Sequence, residues 1–143
     1  MTVGCSECTI HRRVAFHEVD SAGIVHFSVY FRYMEEAEHA LWRQAGLSIA
    51  PGKAEVGFPR VSAAFEYHRP LRFEDELDVR IRIVAMTDKS MRYSCALTKG
   101  SETVATGTMT IVCVTRREDG SMKATPIPAD IAGRFHVAAE GAE

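Results

Sequence analysis

The sequence predicts one α+β domain in which a curved antiparallel sheet wraps around a single long helix. Three observations carry this prediction: a long helical stripe of apolar residues, several runs that alternate apolar and polar residues, and short connections between those runs. Alternation with a period of two is typical of strands with one buried face, and such a face needs a cover. The long helix is the cover that this chain offers.

The helix is predicted over residues 28–45. Apolar residues recur here at spacings of three and four, which is the period of a helix. The stripe consists of Tyr30, Met34, Ala37, Leu41 and Ala45. Neighbouring aromatic residues widen the apolar surface, so we expect the helix to be covered on most sides. Ser28 is predicted as its N-cap and Gly46 as its C-terminal stop.

The strands are predicted from one early run and four later ones. The early strand is placed at residues 10–18, and the alternating runs lie at residues 61–67, 77–83, 91–97 and 105–113. Because the connections at 87–89 and 99–101 are short, the strands that they join are predicted to pair as antiparallel hairpins. Residues 48–59 contain two prolines and two glycines and indicate a loop. A short helix is predicted over residues 129–137.

The length of 143 residues suits one domain. We predict a loose N-terminal segment at residues 1–9, the domain at 10–137 and a disordered tail at 138–143. Hydrophobic residues make up 46% and charged residues 25%, as in ordinary soluble proteins. The net charge of −2 favours neither nucleic acid nor a membrane surface as a partner. Since no export signal or long apolar run is evident, the cytoplasm is the expected compartment.

The four cysteines do not predict a metal site. Cys5 and Cys8 form a CxxC motif, but no second pair follows, and a structural zinc ion needs about four ligands. We interpret this motif as two free thiols. Cys95 and Cys113 lie in strand-like runs and are predicted to be small core residues.

The block from residue 20 to residue 30 carries the most specific pattern. It reads DSAGIVHFSVY, and Glu35 follows five residues later. Together with Lys89-Ser90-Met91, it resembles the signature of the 4-hydroxybenzoyl-CoA thioesterase family, in the branch with an aspartate ahead of the central helix. The resemblance spans roughly residues 10–130. It implies the hotdog fold, acyl-CoA thioesterase activity and assembly as a homodimer or homotetramer.

The layout of this block also suits acyl transfer on physical grounds. Cleavage of a thioester needs a base or nucleophile, and donors aimed at the developing oxyanion. Asp20 offers the carboxylate, and the start of the following helix offers free backbone N–H groups. Gly23 permits a close approach between backbone and ligand. The competing interpretation is that Asp20 is only a turn or capping residue.

The resemblance implies roles for individual residues. Asp20 would be the nucleophile or the general base, the Phe27 N–H would polarise the carbonyl, and Gly23 would shape the loop. Substrate contacts are implied for Val25, His26, Tyr30, Glu35, Ser62, Lys89, Ser90, Met91 and Arg92. Neither a metal nor a separate cofactor is implied, because coenzyme A arrives as part of the substrate. His26 and Met91 replace the aromatic residues common in relatives, which leaves the acyl group open.

Several alternatives remain at this point. Glu35 is the rival catalytic carboxylate, because another thioesterase branch uses a helix glutamate, although an ion pair is favoured for it. Glu36 and Glu38 are predicted to be solvated. The chain could instead act on acyl-carrier-protein thioesters, or bind acyl or aromatic ligands without turnover. A hotdog dehydratase does not fit, because Ser28 and Val29 follow His26-Phe27 where that branch has Pro-Gly.

Overall fold

The structure is a computed structural model that describes residues 4–50 and 55–139. A five-stranded antiparallel sheet packs against one long helix, α1 (Val29–Gln44). The five strands are β1 (Glu7–Arg13), β3 (Arg60–Tyr67), β4 (Glu76–Met86), β5 (Ser90–Lys99) and β6 (Glu102–Val112). A small second sheet contains β2 (Val56–Gly57), β7 (Val114–Arg116) and β8 (Met122–Ala124), and a short helix, α2 (Ala129–Ala132), follows. No helix in the described ranges is long and apolar enough to cross a membrane.

The strand order of the large sheet is β1-β4-β5-β6-β3. Both predicted hairpins are confirmed, since β4 pairs with β5 and β5 pairs with β6, each antiparallel. β3 does not pair with its successor β4. It lies beside β6 instead, which makes β3 one edge of the sheet and β1 the other. Two strands that are consecutive in sequence therefore lie at separate positions in the sheet.

The core lies between α1 and the inner face of the sheet. The predicted helix is confirmed, with Ser28 at its N-cap position and Gly46 at a φ of 79° just after its end. Ser28 has a helical backbone, so its hydroxyl does not cap the helix; it lies 2.7 Å from His26 Nδ1 instead. Trp42 is fully buried and donates from Nε1 to Tyr93 Oη at 3.0 Å, which ties α1 to β5.

Four predicted boundaries differ from the structure. β1 begins at Glu7, so the segment predicted to be loose contributes three residues to the sheet through pairing with β4. β1 ends at Arg13, because the chain then turns through a short 3-10 helix at Phe16–Glu18. α2 ends at Ala132, five residues earlier than predicted. In the predicted tail, Ala138 is buried and donates to Ile83 O at 2.8 Å, while residues 140–143 lie outside the described part.

β3 is not the half-buried strand that its alternating pattern predicts. Val61 is 59% exposed and Tyr67 is 44% exposed, although the Tyr67 ring lies on the side of the sheet that faces α1, 4.8 Å from the ring of Tyr30. At the edge of the sheet, β3 extends beyond the cover that α1 of the same chain supplies. Its apolar face is therefore open in the single chain.

Glu38 is not solvated, contrary to the prediction. Its side chain is fully buried on α1, and one carboxylate oxygen forms an ion pair with Arg60 Nη2. The other oxygen has no hydrogen-bond partner among the described residues. Burial raises the pKa of Glu38 to about 7, although the charge of Arg60 opposes this shift. Arg60 also donates to Phe58 O at 2.9 Å and lies 3.5 Å from Glu35.

Candidate active site

Asp20 lies at the tip of a tight hairpin that precedes α1. The Asp20 N–H donates to Ile24 O at 2.9 Å, and the Gly23 N–H returns to Asp20 O at 3.0 Å. Gly23 has a φ of 80°, a conformation that favours glycine. Val19 and Val25 pair across the two arms as an isolated bridge. The turn predicted at Asp20–Gly23 is thus present, and it holds the carboxylate on a defined backbone.

The Asp20 side chain is half-buried. Oδ1 accepts the Ala22 N–H at 2.8 Å, which is the local bond of an Asx turn. Oδ2 has no protein donor within the described ranges. One oxygen therefore orients the carboxylate, and the other is open to a ligand or to water.

Phe27 follows the second arm of the hairpin. The N–H groups of its neighbours are used, because His26 donates to Glu18 O at 2.9 Å and Val29 donates to His26 O at 2.9 Å. Among the described residues, no acceptor binds the Phe27 N–H. The Phe27 carbonyl accepts from Tyr67 Oη at 2.7 Å, which fixes the orientation of this part of the backbone. A free, oriented donor at a helix start can polarise a carbonyl oxygen.

The other residues predicted in this block divide between surface and core. The ring of His26 stacks on Phe27 with centroids 4.5 Å apart, and its Nδ1 accepts from the Ser28 N–H at 3.2 Å. Val25 and Tyr30 are buried. Tyr30 contacts Tyr67 edge-to-face at 4.8 Å, and burial raises the pKa of its phenol. Val25 and Tyr30 therefore belong to the core on which the hairpin packs.

The predicted substrate contacts at the β4–β5 turn do not lie beside the Asp20 of the same chain. They are Lys89, Ser90, Met91 and Arg92. The start of β4 lies near the Asp20 hairpin. The Val25 N–H donates to Leu71 O, and the Val14 N–H donates to Asp75 O, just before β4 begins. The β4–β5 turn lies at the other end of this 11-residue strand, about 30 Å away at about 3.3 Å per residue. Met91 is also fully buried in the core.

Glu35 and Ser62 are also apart from the hairpin. Glu35 lies two turns into α1 and interacts with Arg60, so it forms the ion pair that was favoured for it. Ser62 is exposed on the edge strand β3. Arg60 pairs with Ile111, and Ser90 pairs with Val112, so Arg60 lies at the same end of the sheet as the β4–β5 turn.

A cleft of about 690 Å³ lies at this second end of the molecule. Its polar lining includes Glu35, His39 and Arg60. Its apolar lining includes Val56, Phe58 and Met122. The volume suits a small-molecule site. This cleft could not be predicted from the sequence, because its wall depends on the small second sheet, which no clear alternation in the sequence indicates.

Two further residues at the hairpin were missed from sequence. Glu18 is 5% exposed and Tyr67 bonds to the Phe27 backbone. Nothing in the local pattern distinguishes Glu18 from a surface carboxylate. As for metals, the described residues contain no group of three or more side chains able to hold one, and the four cysteines are free thiols.

Comparison with known proteins is consistent with this arrangement. The family model for the thioesterase-like superfamily matches residues 14–135. A putative esterase of Aquifex aeolicus is 34% identical over 96 residues, which cover 66% of this chain and 74% of that protein. The acyl-CoA thioester hydrolase YbgC of Escherichia coli is 26% identical over 125 residues, which cover 86% of this chain and 91% of YbgC.

A solved structure supports the same assignment. The structure of a gentisyl-coenzyme A thioesterase matches with a TM-score of 0.79 and 29% sequence identity, and the match covers 90% of this chain and 99% of that one. The predicted hotdog fold is confirmed by this likeness and by the sheet wrapped on α1. The chain belongs to the thioesterase-like superfamily, and it is a thioester hydrolase.

Proposed function

We propose that this chain hydrolyses acyl-CoA thioesters to a free acid and coenzyme A at the Asp20 hairpin. The observation that carries the proposal is the pairing of two reactive groups on one rigid hairpin. The open Oδ2 of Asp20 lies at its tip, and the free N–H of Phe27 follows its second arm. YbgC and the gentisyl-coenzyme A thioesterase, named for CoA thioester substrates, support CoA as the leaving group.

The proposed chemistry has two forms. In the first, an Asp20 oxygen attacks the thioester carbon, the C–S bond breaks, and the thiolate leaves and takes up a proton. Water then hydrolyses the acyl-aspartyl anhydride and regenerates the carboxylate. In the second, Asp20 takes a proton from water as that water attacks the same carbon, the C–S bond then breaks, and the thiolate leaves with a proton while the carboxylate is restored. In both forms the Phe27 N–H binds the oxygen that becomes negative.

The leaving group can be tested directly. We expect thiol release from a panel of acyl-CoAs, with higher kcat/KM than on the matching acyl-carrier-protein thioesters. A carrier protein is acidic and would favour a basic docking surface, whereas this chain has a net charge of −2. Faster turnover of the carrier-bound substrates would contradict the CoA assignment. Tight acyl-CoA binding without thiol release would contradict hydrolysis at this site.

We also propose that two copies assemble through β3 and complete the site. An exposed, apolar edge strand is a hazard unless it is paired or covered. In an antiparallel pairing of two β3 strands, the Arg60 end of one copy meets the Tyr67 end of the other. Because Tyr67 holds the Phe27 backbone, the second copy would bring its cleft and its Lys89–Arg92 turn toward the Asp20 hairpin. Lys89 and Arg92 could then meet the phosphates of coenzyme A.

The assembly predicts a selective effect of charge on β3. Val61→Glu is expected to shift the protein from dimer to monomer in light scattering, because it places a charge on the exposed apolar edge that the second β3 would cover. Activity should fall together with the dimer fraction. Val84→Glu is the matched control, since Val84 is an exposed valine on β4. A stable wild-type monomer with full activity would contradict the shared site.

The proposed compartment is the cytoplasm. The four cysteines are free thiols, and two of them, Cys5 and Cys8, are only half-buried. Unpaired, accessible thiols fit a reducing compartment. Coenzyme A within the substrate is the only cofactor-like group that the proposed reaction uses.

A further inference from the structure

We propose that Glu18 is a positioning residue for thioester hydrolysis, which holds the Asp20 carboxylate and the Phe27 N–H in a fixed relation. This inference rests on the proposed function of those two groups. Glu18 is a carboxylate two residues before Asp20, and only 5% of its surface is exposed. Its exposure and position give it no direct path to the substrate.

The side chain of Glu18 is held by three donors from separate parts of the chain. Oε1 accepts the Ala15 N–H at 2.8 Å and the Tyr33 hydroxyl at 2.9 Å. Oε2 accepts from Arg12 Nη2 at 2.6 Å. The carboxylate therefore joins the last part of β1, the turn before Asp20 and the second turn of α1. Burial and the bond to Glu18 raise the pKa of Tyr33, so its hydroxyl remains a donor at neutral pH.

The backbone of Glu18 reaches the second reactive group. Its carbonyl accepts the His26 N–H at 2.9 Å, and the next residue, Val19, pairs with Val25. The peptide that follows His26 presents the free Phe27 N–H. Glu18 thus lies on the arm that carries Asp20 and bonds to the arm that leads to Phe27. A rotation of this residue would change the spacing of the two groups.

The charge of Glu18 is balanced by Arg12. The Arg12 guanidinium lies 4.9 Å from the centre of the Tyr33 ring and bonds through Nε to Glu36 at 3.1 Å. A buried ion pair is often no more stabilising than apolar side chains of the same size. The ion pair and its neighbouring hydrogen bonds instead supply directionality, because each oxygen of Glu18 accepts from donors at defined positions. This cluster is therefore suited to fixing geometry.

The test uses Glu18→Gln and Tyr33→Phe, with kcat and KM measured below the unfolding range of each variant. Displacement of catalytic groups by about 1 Å can lower turnover by about 100-fold. We expect kcat to fall about 10- to 100-fold for Glu18→Gln and less for Tyr33→Phe, with KM changed by no more than about twofold. Because the two side chains share one bond, the double variant should lose less than the product of the single losses.

Glu36→Gln is the matched control. It removes the other carboxylate bound to Arg12 but touches neither arm of the hairpin, so its kcat should match the wild type. If Glu18→Gln does not fold, Tyr33→Phe carries the test alone, because it removes one bond and keeps the ring. Unchanged kcat in every folded variant, while Asp20→Asn is inactive, would overturn this inference alone. Full activity of Asp20→Asn would overturn the proposed function on which this inference rests.

Discussion

Asp20→Asn is expected to abolish most thioester hydrolysis while leaving the fold intact. The amide oxygen of asparagine can still accept the Ala22 N–H that Oδ1 accepts at 2.8 Å. The amide can neither attack the thioester nor take a proton from water. Loss of a general base or nucleophile should lower kcat by about 10²- to 10⁴-fold. The measurement is thiol release from acyl-CoA, with thermal unfolding recorded on the same preparation.

Asp119→Asn supplies the control for this variant. Asp119 also accepts a backbone N–H two residues further along, from Ser121 at 2.9 Å, but it lies in an exposed turn between β7 and β8. The same substitution in the same type of turn should leave kcat unchanged. A folded Asp20→Asn protein with at least half of the wild-type activity would refute the central role of Asp20, and Glu35 would become the carboxylate to test next.

The two roles of Asp20 can be separated by one turnover in heavy-oxygen water. If Asp20 is the nucleophile, water attack on the aspartyl carbonyl of the anhydride places the label in the Asp20 carboxylate. If Asp20 is the general base, the label enters only the product acid. Mass spectrometry of the peptide that contains Asp20 distinguishes the two results.

Arg60→Met is expected to destabilise the protein strongly at alkaline pH and much less at acidic pH. The variant leaves Glu38 fully buried without its counter-ion, and breaking a buried pair on one side costs about 3–5 kcal/mol. The folded pKa of Glu38, about 7, already lies above its ordinary value of 4.5. Without the lowering effect of Arg60, this pKa rises further, so the folded state binds a proton at pH 5 and the penalty shrinks.

In the wild type, Glu38 also makes the free energy of unfolding depend on pH. Because the folded carboxyl binds its proton more tightly than the unfolded one, this group stabilises the fold at low pH, and that contribution is lost as the pH rises toward 7. The full change from this group is about 3 kcal/mol, from about 1.4 kcal/mol per unit of pKa. Urea unfolding from pH 5 to pH 8.5 measures both the wild type and Arg60→Met.

Two controls isolate the charge of Glu38. In a Glu38→Gln background, Arg60→Met should cost the same free energy of unfolding at every pH. Arg69→Met removes an arginine whose pair with Glu102 is exposed on both sides, so it should cost less than about 1 kcal/mol. An equal loss at pH 5 and pH 8.5 for Arg60→Met would show that Arg60 acts by packing alone.

Local patterns predicted a large part of this protein. The α1 helix follows from the spacing of Tyr30, Met34 and Leu41, and both hairpins follow from alternation and short connections. The turn at Asp20 and Gly23 is also a local feature, because its bonds join residues within five positions of one another. Such features depend on backbone preference and hydrophobic period, which a single sequence records directly.

Burial of charge could not be predicted in this way. Glu35, Glu36 and Glu38 look alike in sequence, yet only Glu38 is fully buried. It lies next to the stripe of Ala37 and Leu41, on the side of α1 that Arg60 and Tyr93 cover. Glu18 is buried for a similar reason, since Arg12 and Tyr33 come from other elements. Which elements meet is a long-range property.

By itself, the sequence determined the helix, the hairpins and the Asp20 turn, because these depend on contacts between near neighbours in the chain. Only the tertiary structure decided that β3 lies at an open edge beside β6, and that the Lys89–Arg92 turn lies a full strand length from Asp20. It also decided that Glu18 joins the two arms that carry the reactive groups. These outcomes depend on packing between distant segments, where the free energy comes from burying shared surface rather than from local preference.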